Sequence, residues 1–296
     1  MYKIRHYLLL LCFCSLWFVP EQGVAQTKFS LDTNTIDRTP SFAHQLPYVE
    51  ILGYVVCQAD FPLSETGELR EEINQLQRDL ILYLGIPQPR EKIELCLFKD
   101  MNSYRQFLTT QFKDIPLDRP ALYIKDNGPG ILMVPRDKNM MVNVRHEMTH
   151  AFLNSTLQNV PIWLDEGLAK YFETPAGKRG YENPFLKTVK KKNAWSFGVA
   201  PSLPRLEKLQ NINQMGEREY RESWSWVHFL IHYSSETHQL LGVYLKSLTP
   251  ERQAGISGQE AIQRQREAPL TQLLQKHLPD YKKKYVEHFK KWEPPR

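Results

Sequence analysis

Hydrophobic residues follow two different spacings along this chain, and the change between them falls near residue 137. Before that point, short apolar runs rich in Val, Ile and Tyr alternate with stretches of helical periodicity, a pattern typical of mixed strands and helices. The runs Tyr48 to Cys57 and Ile93 to Phe98 predict strands. Apolar residues three or four positions apart predict an amphipathic helix in residues 69–84, and a shorter helix is expected in residues 103–112.

A hairpin is predicted between residues 121 and 134. Ala121 to Lys125 and Ile131 to Val134 are strand-like, and the segment Asp126 to Gly130 between them contains an Asn-Gly pair and a second Gly. Such residues favour tight turns between antiparallel strands. Residues 48–137 therefore predict an N-terminal α/β subdomain, a small mixed β-sheet that carries helices.

Helical spacing dominates from residue 138 to the C-terminus. Residues 139–157 predict one helix, Pro161 interrupts the chain, and residues 162–173 predict a second helix. Further helices are expected beyond residue 218, after a loop-rich stretch. We therefore expect an α+β fold of one domain, in which residues 138–296 form a mainly α-helical C-terminal subdomain.

The N-terminus has the pattern of a cleaved signal peptide in residues 1–25. Two basic residues precede an apolar run in residues 7–19, and small residues follow at Gly23 to Ala25. A membrane-spanning helix needs about 20 apolar residues, so we expect no stable membrane insertion after cleavage. The polar residues 26–47 predict an extended leader, and the mature protein is expected to be exported, either periplasmic or secreted.

The net charge and the cysteines argue against two classes of function, nucleic-acid binding and metal binding by cysteines. A net charge of +5 in 296 residues is too weak a bias to indicate a nucleic-acid partner. Removing the signal peptide leaves Cys57 and Cys96, each in a strand-like run. Because exported proteins form disulfides readily, this pair predicts either one disulfide or two buried thiols on neighbouring strands. The chain has no C-x-x-C spacing, which argues against a cysteine-based metal site.

The segment His146-Glu147-Met148-Thr149-His150 has the spacing of a metal-binding helix. Residues four positions apart lie on one face of a helix, so His146 and His150 are able to direct their imidazoles at one point. Glu147 lies about 100° further around the helix, which suits a carboxylate that contacts a metal-bound water without binding the metal. The spacing therefore predicts two metal ligands and a general base.

A catalytic zinc ion usually takes three protein ligands, so a third ligand is needed. Sixteen residues after His150, the sequence Trp163-Leu164-Asp165-Glu166-Gly167 opens the second predicted helix, just after Pro161. A helix, a tight return and a second helix would bring Glu166 back to the two histidines. The alternative pattern with a third His six residues on is absent, because that position is Thr156. We predict one zinc ion per chain, bound by His146, His150 and Glu166.

These motifs resemble the gluzincin metallopeptidases of the peptidase MA clan, whose aminopeptidase N branch has a similar W-L-x-E-G signature. The chain is more similar still to the uncharacterised bacterial peptidase-MA-like proteins, in which a Tyr-x-x-Ser-Trp helix follows the site, here Tyr220 to Trp224. The likeness covers about residues 93–248. It implies a zincin-like fold with an active-site helix, Glu166 as third ligand, and an edge strand near residues 131–134 along which a peptide lies.

The resemblance also implies a donor for the oxyanion, usually a Tyr or His from the helical subdomain. Tyr220 matches the tyrosine of the family, and His228 or His232 is the reserve candidate; a packing role is an open alternative for each of them. Metal-binding histidines usually donate their second ring nitrogen to a carboxylate or carbonyl. Asp165 and Glu173 are candidates for this role, although surface ion pairs would also explain them.

By this resemblance the expected function is hydrolysis of a peptide bond in a peptide or protein substrate outside the cytoplasm, with Glu147 accepting the proton of a zinc-bound water. An alternative is a zinc-stabilised, non-catalytic binding or assembly factor with a peptidase-like fold. Hydrolysis of another amide, such as one in a cell-wall peptide, is a third interpretation. The sequence leaves open the substrate, endo- or exo-cleavage and the oligomeric state.

Overall fold

A mixed sheet of five strands forms the first half of the described fold. The computed structural model describes residues 46–89, 92–112, 117–125, 130–195, 198–250, 259–260, 263 and 269–293. The predicted signal peptide, nearly all of the predicted leader and residues 126–129 of the predicted turn lie outside the described residues. The strands are β1 (Tyr48–Leu52), β2 (Val55–Ala59), β3 (Ile93–Phe98), β4 (Leu122–Ile124) and β5 (Ile131–Pro135).

The strand order is β1-β2-β3-β5-β4. Strands β2, β3 and β5 are parallel to one another, while β1 and β4 run antiparallel at the two edges. The antiparallel pairing of β4 with β5 confirms the two strands that were predicted to flank a turn. It also shows that the resemblance placed the sheet edge wrongly, because residues 131–134 lie in the internal strand β5 and the edge strand is β4.

Ten helices lie within the described residues, and most of them follow the sheet, as predicted for a mixed α+β chain. None of these helices combines the length and the apolar character that crossing a bilayer requires. They are α1 (Leu69–Arg78, continued by a π-helical turn at Asp79–Tyr83), α2 (Met101–Gln111), α3 (Met140–Thr156), α4 (Ile162–Phe172), α5 (Phe185–Trp195), α6 (Leu203–Glu207), α7 (Glu217–His232), α8 (Ser235–Ser247), α9 (Leu270–His277) and α10 (Tyr281–Lys291).

The sheet is covered on both faces, because successive side chains of a strand point to opposite sides. All six residues of β3 are buried. Leu95 and Leu97 belong to the main hydrophobic core, which includes residues of α1 and α3. Cys96 and Phe98 pack instead with residues of α2 on the opposite face. The sheet thus lies between α2 and the pair α1 and α3, which fixes α3 against a rigid support.

Two adjacent strands, β2 and β3, carry the cysteines, and the structure contradicts the possible disulfide between them. Both Cys57 and Cys96 are buried free thiols. Cys57 is paired in register with Leu95, and Cys96 with Gln58. The two cysteines are therefore one position out of register, so their side chains lie on opposite faces of the sheet.

The run Tyr48 to Cys57 was predicted as one strand, but the structure divides it into the hairpin β1–β2. The chain turns at Gly53, which has a φ of +61° that favours glycine. Gln77 of α1 holds this turn, since its Oε1 accepts the Tyr54 N–H at 2.8 Å and its Nε2 donates to the Leu52 carbonyl at 3.1 Å. The apolar run was therefore predicted as one strand because the turn at its single glycine is stabilised by a side chain that is distant in sequence.

Replacing Gly53 by Ala should lower the free energy of unfolding by more than the backbone cost of a left-handed residue, about 1–2 kcal/mol. A Cβ at this position would lie 2.6 Å from Gln77 Oε1, so the amide must give up its hydrogen bonds to the turn. Gly85→Ala is the control, because Gly85 also has a positive φ, +69°, but no atom within 4 Å of its added Cβ. Equal losses in urea unfolding would contradict the role of Gln77.

Candidate metal centre

Two histidines face each other on α3, in the core between the sheet and α4. His146 and His150 are four residues apart, and the structure buries both completely. Their Nε2 atoms lie 3.2 Å apart. This distance is short enough for both nitrogens to bind one ion.

Glu166 of α4 completes a triangle with these nitrogens. Its Oε2 lies 3.8 Å from the Nε2 of His146 and 3.8 Å from the Nε2 of His150. A triangle with these three sides has a circumscribed radius of about 2.1 Å, which matches typical zinc distances to nitrogen and to carboxylate oxygen. The three buried side chains therefore fit a small divalent metal ion, and they are the metal-ligand group found within the described residues.

Close packing of α4 on α7 positions Glu166. The next residue, Gly167, lies against the backbone of α7, so that an added Cβ would be 2.9 Å from the Ser223 carbonyl oxygen and 2.9 Å from Val227 Cγ2. Only a residue without a side chain permits this approach. Pro161 directly precedes α4 and ends the short return from α3. The local sequence thus brings Glu166 back to the histidines, as the helix-return-helix pattern predicted.

Each histidine also contacts a carboxylate through its other ring nitrogen. His150 Nδ1 lies 2.9 Å from Asp165 Oδ1, and His146 Nδ1 lies 2.8 Å from Glu173 Oε2. A carboxylate accepts a hydrogen bond, so each Nδ1 carries a proton and each Nε2 is the ring nitrogen that faces the centre. Both carboxylates named from the sequence thus lie beside the predicted ligands.

Glu147 is buried beside the ligand triangle but is not part of it. Its side chain is 2% exposed, and no hydrogen-bond partner of its Oε2 lies within the described residues. Burial raises the pKa of Glu147 to about 7, against the opposing effect of His150. Burial therefore makes this carboxylate a stronger base than an exposed one, which suits proton transfer near neutral pH.

The two histidines differ in their electrostatic surroundings. Burial lowers the pKa of His146 to about 3. Burial also acts to lower the pKa of His150, but the carboxylates of Asp165 and Glu166 outweigh it and raise this pKa to about 9. Negative charge is thus concentrated on the His150 side of the centre.

Lys170 and Arg145 were not identified as site residues from the sequence. Lys170 Nζ lies 3.0 Å from Glu173 Oε2. Buried Arg145 donates from Nε to the Glu173 backbone carbonyl at 2.6 Å, and its Nη1 pairs with Glu72 of α1 at 3.0 Å. Lys170 lies four residues after Glu166, about one helical turn further along α4.

Tyr220 of α7 is buried close to Lys170. The Nζ of Lys170 lies 5.9 Å from the centre of the Tyr220 ring. This position is on the α4 side of α7, one turn before the close contact of Ser223 with Gly167. Its assignment as an oxyanion donor stays a prediction.

The reserve candidates His228 and His232 belong to a different buried cluster. Both ring nitrogens of His228 are engaged, Nδ1 with His288 Nε2 at 2.9 Å and Nε2 with the Gly180 carbonyl at 3.0 Å. His232 Nε2 is 2.8 Å from the Tyr171 hydroxyl. The cluster joins α4, α7 and α10, and its arrangement favours a structural role for these histidines.

No model of a known protein family matches this sequence, and no curated protein matches it either. The likeness to gluzincins therefore rests on the residues of its motifs.

Replacing Gly167 by Ala should destabilise the fold by about 1–3 kcal/mol, as is usual for overpacking, and should weaken metal binding. The added methyl group would force α4 away from the α7 backbone and shift Glu166. Thermal unfolding and zinc titration of the purified variant measure both effects. Gly177→Ala is the control, because its added Cβ meets no atom within 4 Å. Unchanged zinc affinity in Gly167→Ala would show that this packing does not position the ligand.

The histidine cluster predicts a loss of stability in mild acid. Burial lowers the pKa of His228, of His232 to about 4 and of His288 to about 3. Because each folded pKa lies below the unfolded value, the stabilisation is complete above about pH 6.5 and declines as the pH falls toward the folded values. Between pH 7 and pH 5, His288→Phe should lose about 2 kcal/mol less stability than the wild type. Equal pH dependence in urea unfolding would contradict this assignment.

Proposed function

We propose that this chain is a zinc-dependent metallopeptidase of the gluzincin type with a zincin-like fold. The observation that carries the proposal is a buried group of three ligand side chains, with the carboxylate of Glu147 next to it but outside it. A structural zinc site usually closes its fourth position with protein, whereas a catalytic site keeps that position open. Within the described residues the group has three members, which supports a catalytic site.

Each residue of the site has a defined task. When bound, zinc supplies a Lewis acid that polarises a carbonyl and makes water more acidic at neutral pH. His146, His150 and Glu166 would hold the ion through the Nε2 atoms of the histidines and a carboxylate oxygen. Glu147 accepts the proton from the attacking water at its carboxylate and returns it to the leaving amine. Tyr220 donates its hydroxyl to the oxyanion.

The substrate is proposed to be a peptide or a protein segment, met outside the cytoplasm after export, as the likeness of the motifs to gluzincins implies. The edge strand β4 contacts α3, the helix that carries Glu147, but the three residues of this strand are buried, so it offers no open edge to which a peptide could add.

Removing the general base should separate metal binding from catalysis. We expect Glu147→Gln to keep one zinc ion per chain and to lose peptidase activity by at least about 100-fold, because proton transfer by a positioned group contributes 10²–10⁴-fold. Glu166→Ala should lose both zinc and activity. Zinc quantification and digestion of a broad peptide library on the same samples measure the two properties.

The exposed Glu182→Gln is a suitable control for the change of charge. Full activity in Glu147→Gln would show that Glu147 is not the general base. Zinc bound by the wild type and by Glu147→Gln, with no cleavage of any peptide by the wild type, would favour the non-catalytic binding factor instead.

A further inference from the structure

One carboxylate oxygen is shared between a proposed metal ligand and a lysine. Glu173 Oε2 accepts from His146 Nδ1 at 2.8 Å and from Lys170 Nζ at 3.0 Å. The lysine is buried, with its residue only 8% exposed, so solvent screens this contact weakly. The ammonium group therefore offsets much of the negative charge that the carboxylate would otherwise present to the imidazole.

The other histidine has a carboxylate without such a competitor. Asp165 Oδ1 lies 2.9 Å from His150 Nδ1, and no lysine or arginine forms an ion pair with Asp165 within the described residues. A carboxylate on the far nitrogen of a histidine makes the ring a better electron donor to a metal. His150 is thus supported by an anion, and His146 by an anion already paired with a cation.

The geometry that keeps Lys170 and Glu173 together is well fixed. The two residues are three positions apart at the C-terminal end of α4. Arg145 holds the Glu173 backbone carbonyl at 2.6 Å, and Asn183 Nδ2 donates to the Lys170 carbonyl at 3.0 Å. Both ends of the ion pair are therefore anchored through their backbone as well as their side chains.

We propose that Lys170 is a positioning residue that acts through Glu173 to limit electron donation by His146, and so lowers the affinity of the site for zinc. This inference rests on the metal site of the proposed function. Weaker donation by one histidine leaves more of the positive charge on the ion for the substrate carbonyl. The chain would thus bind zinc more weakly, and the bound zinc would be a stronger Lewis acid.

The test is the zinc affinity of purified variants, measured by competition with a chromophoric chelator and without any peptide substrate. Lys170→Met should bind zinc about 10-fold more tightly, and Glu173→Gln should bind it about 10- to 100-fold more weakly, the range usual for groups that orient metal ligands. Lys178→Met is the matched control, since Lys178 is an exposed lysine paired with Glu182 beyond α4. A gain in affinity is informative because damage to the fold would produce a loss.

A double variant shows whether Lys170 acts through the carboxylate. In the Glu173→Gln background, Lys170→Met should change the zinc affinity by much less than in the wild type. The same gain in both backgrounds would indicate direct repulsion of the ion and would overturn the inference, as would unchanged or weaker zinc binding in Lys170→Met. A wild-type protein that binds no zinc would instead remove the metal site itself, and with it the proposed function.

Discussion

The arrangement of the molecule depends on bringing three polar side chains from two helices together inside a hydrophobic core. His146, His150 and Glu166 are completely buried, and burying such groups is costly unless each has partners. The sheet supports α3 from one side, and α4 closes the site from the other. The close contact of α4 with α7 at Gly167 then keeps Glu166 at the distance that lets the three ligand atoms converge.

Helix α4 and the residue that follows it provide three carboxylates that approach the histidines of α3. Asp165, Glu166 and Glu173 contact the histidines of α3 at three separate points, so any sliding of one helix along the other would break all three contacts. These contacts fix the alignment of the two helices along each other. Arg145 adds a link from α3 to the end of α4 and, through Glu72, to α1.

Local patterns predicted the parts of the structure that local interactions determine. The positions of His146 and His150 follow from helical spacing, and the return of Glu166 follows from Pro161 and a second helical pattern. Longer-range features were missed. The hairpin at Gly53 depends on Gln77, which lies 24 residues further on, and the separation of Cys57 from Cys96 depends on strand register. The role of Lys170 was missed because its partner Glu173 also contacts His146, which is distant in sequence.

The charges around the site favour a cation at its centre. Glu147, Asp165 and Glu166 are three buried acids, Glu173 lies beside them with its side chain 13% exposed, and Lys170 pairs directly with Glu173. Buried carboxylates that lie close together repel one another and resist ionisation. A divalent ion among the three ligand atoms would offset most of this excess, whereas an ordinary hydrogen-bonded core would not require so many acids. The same excess of negative charge explains why a buried lysine is tolerated beside Glu173. The lysine reduces the repulsion between Glu173, which is not one of the three ligands, and the other carboxylates.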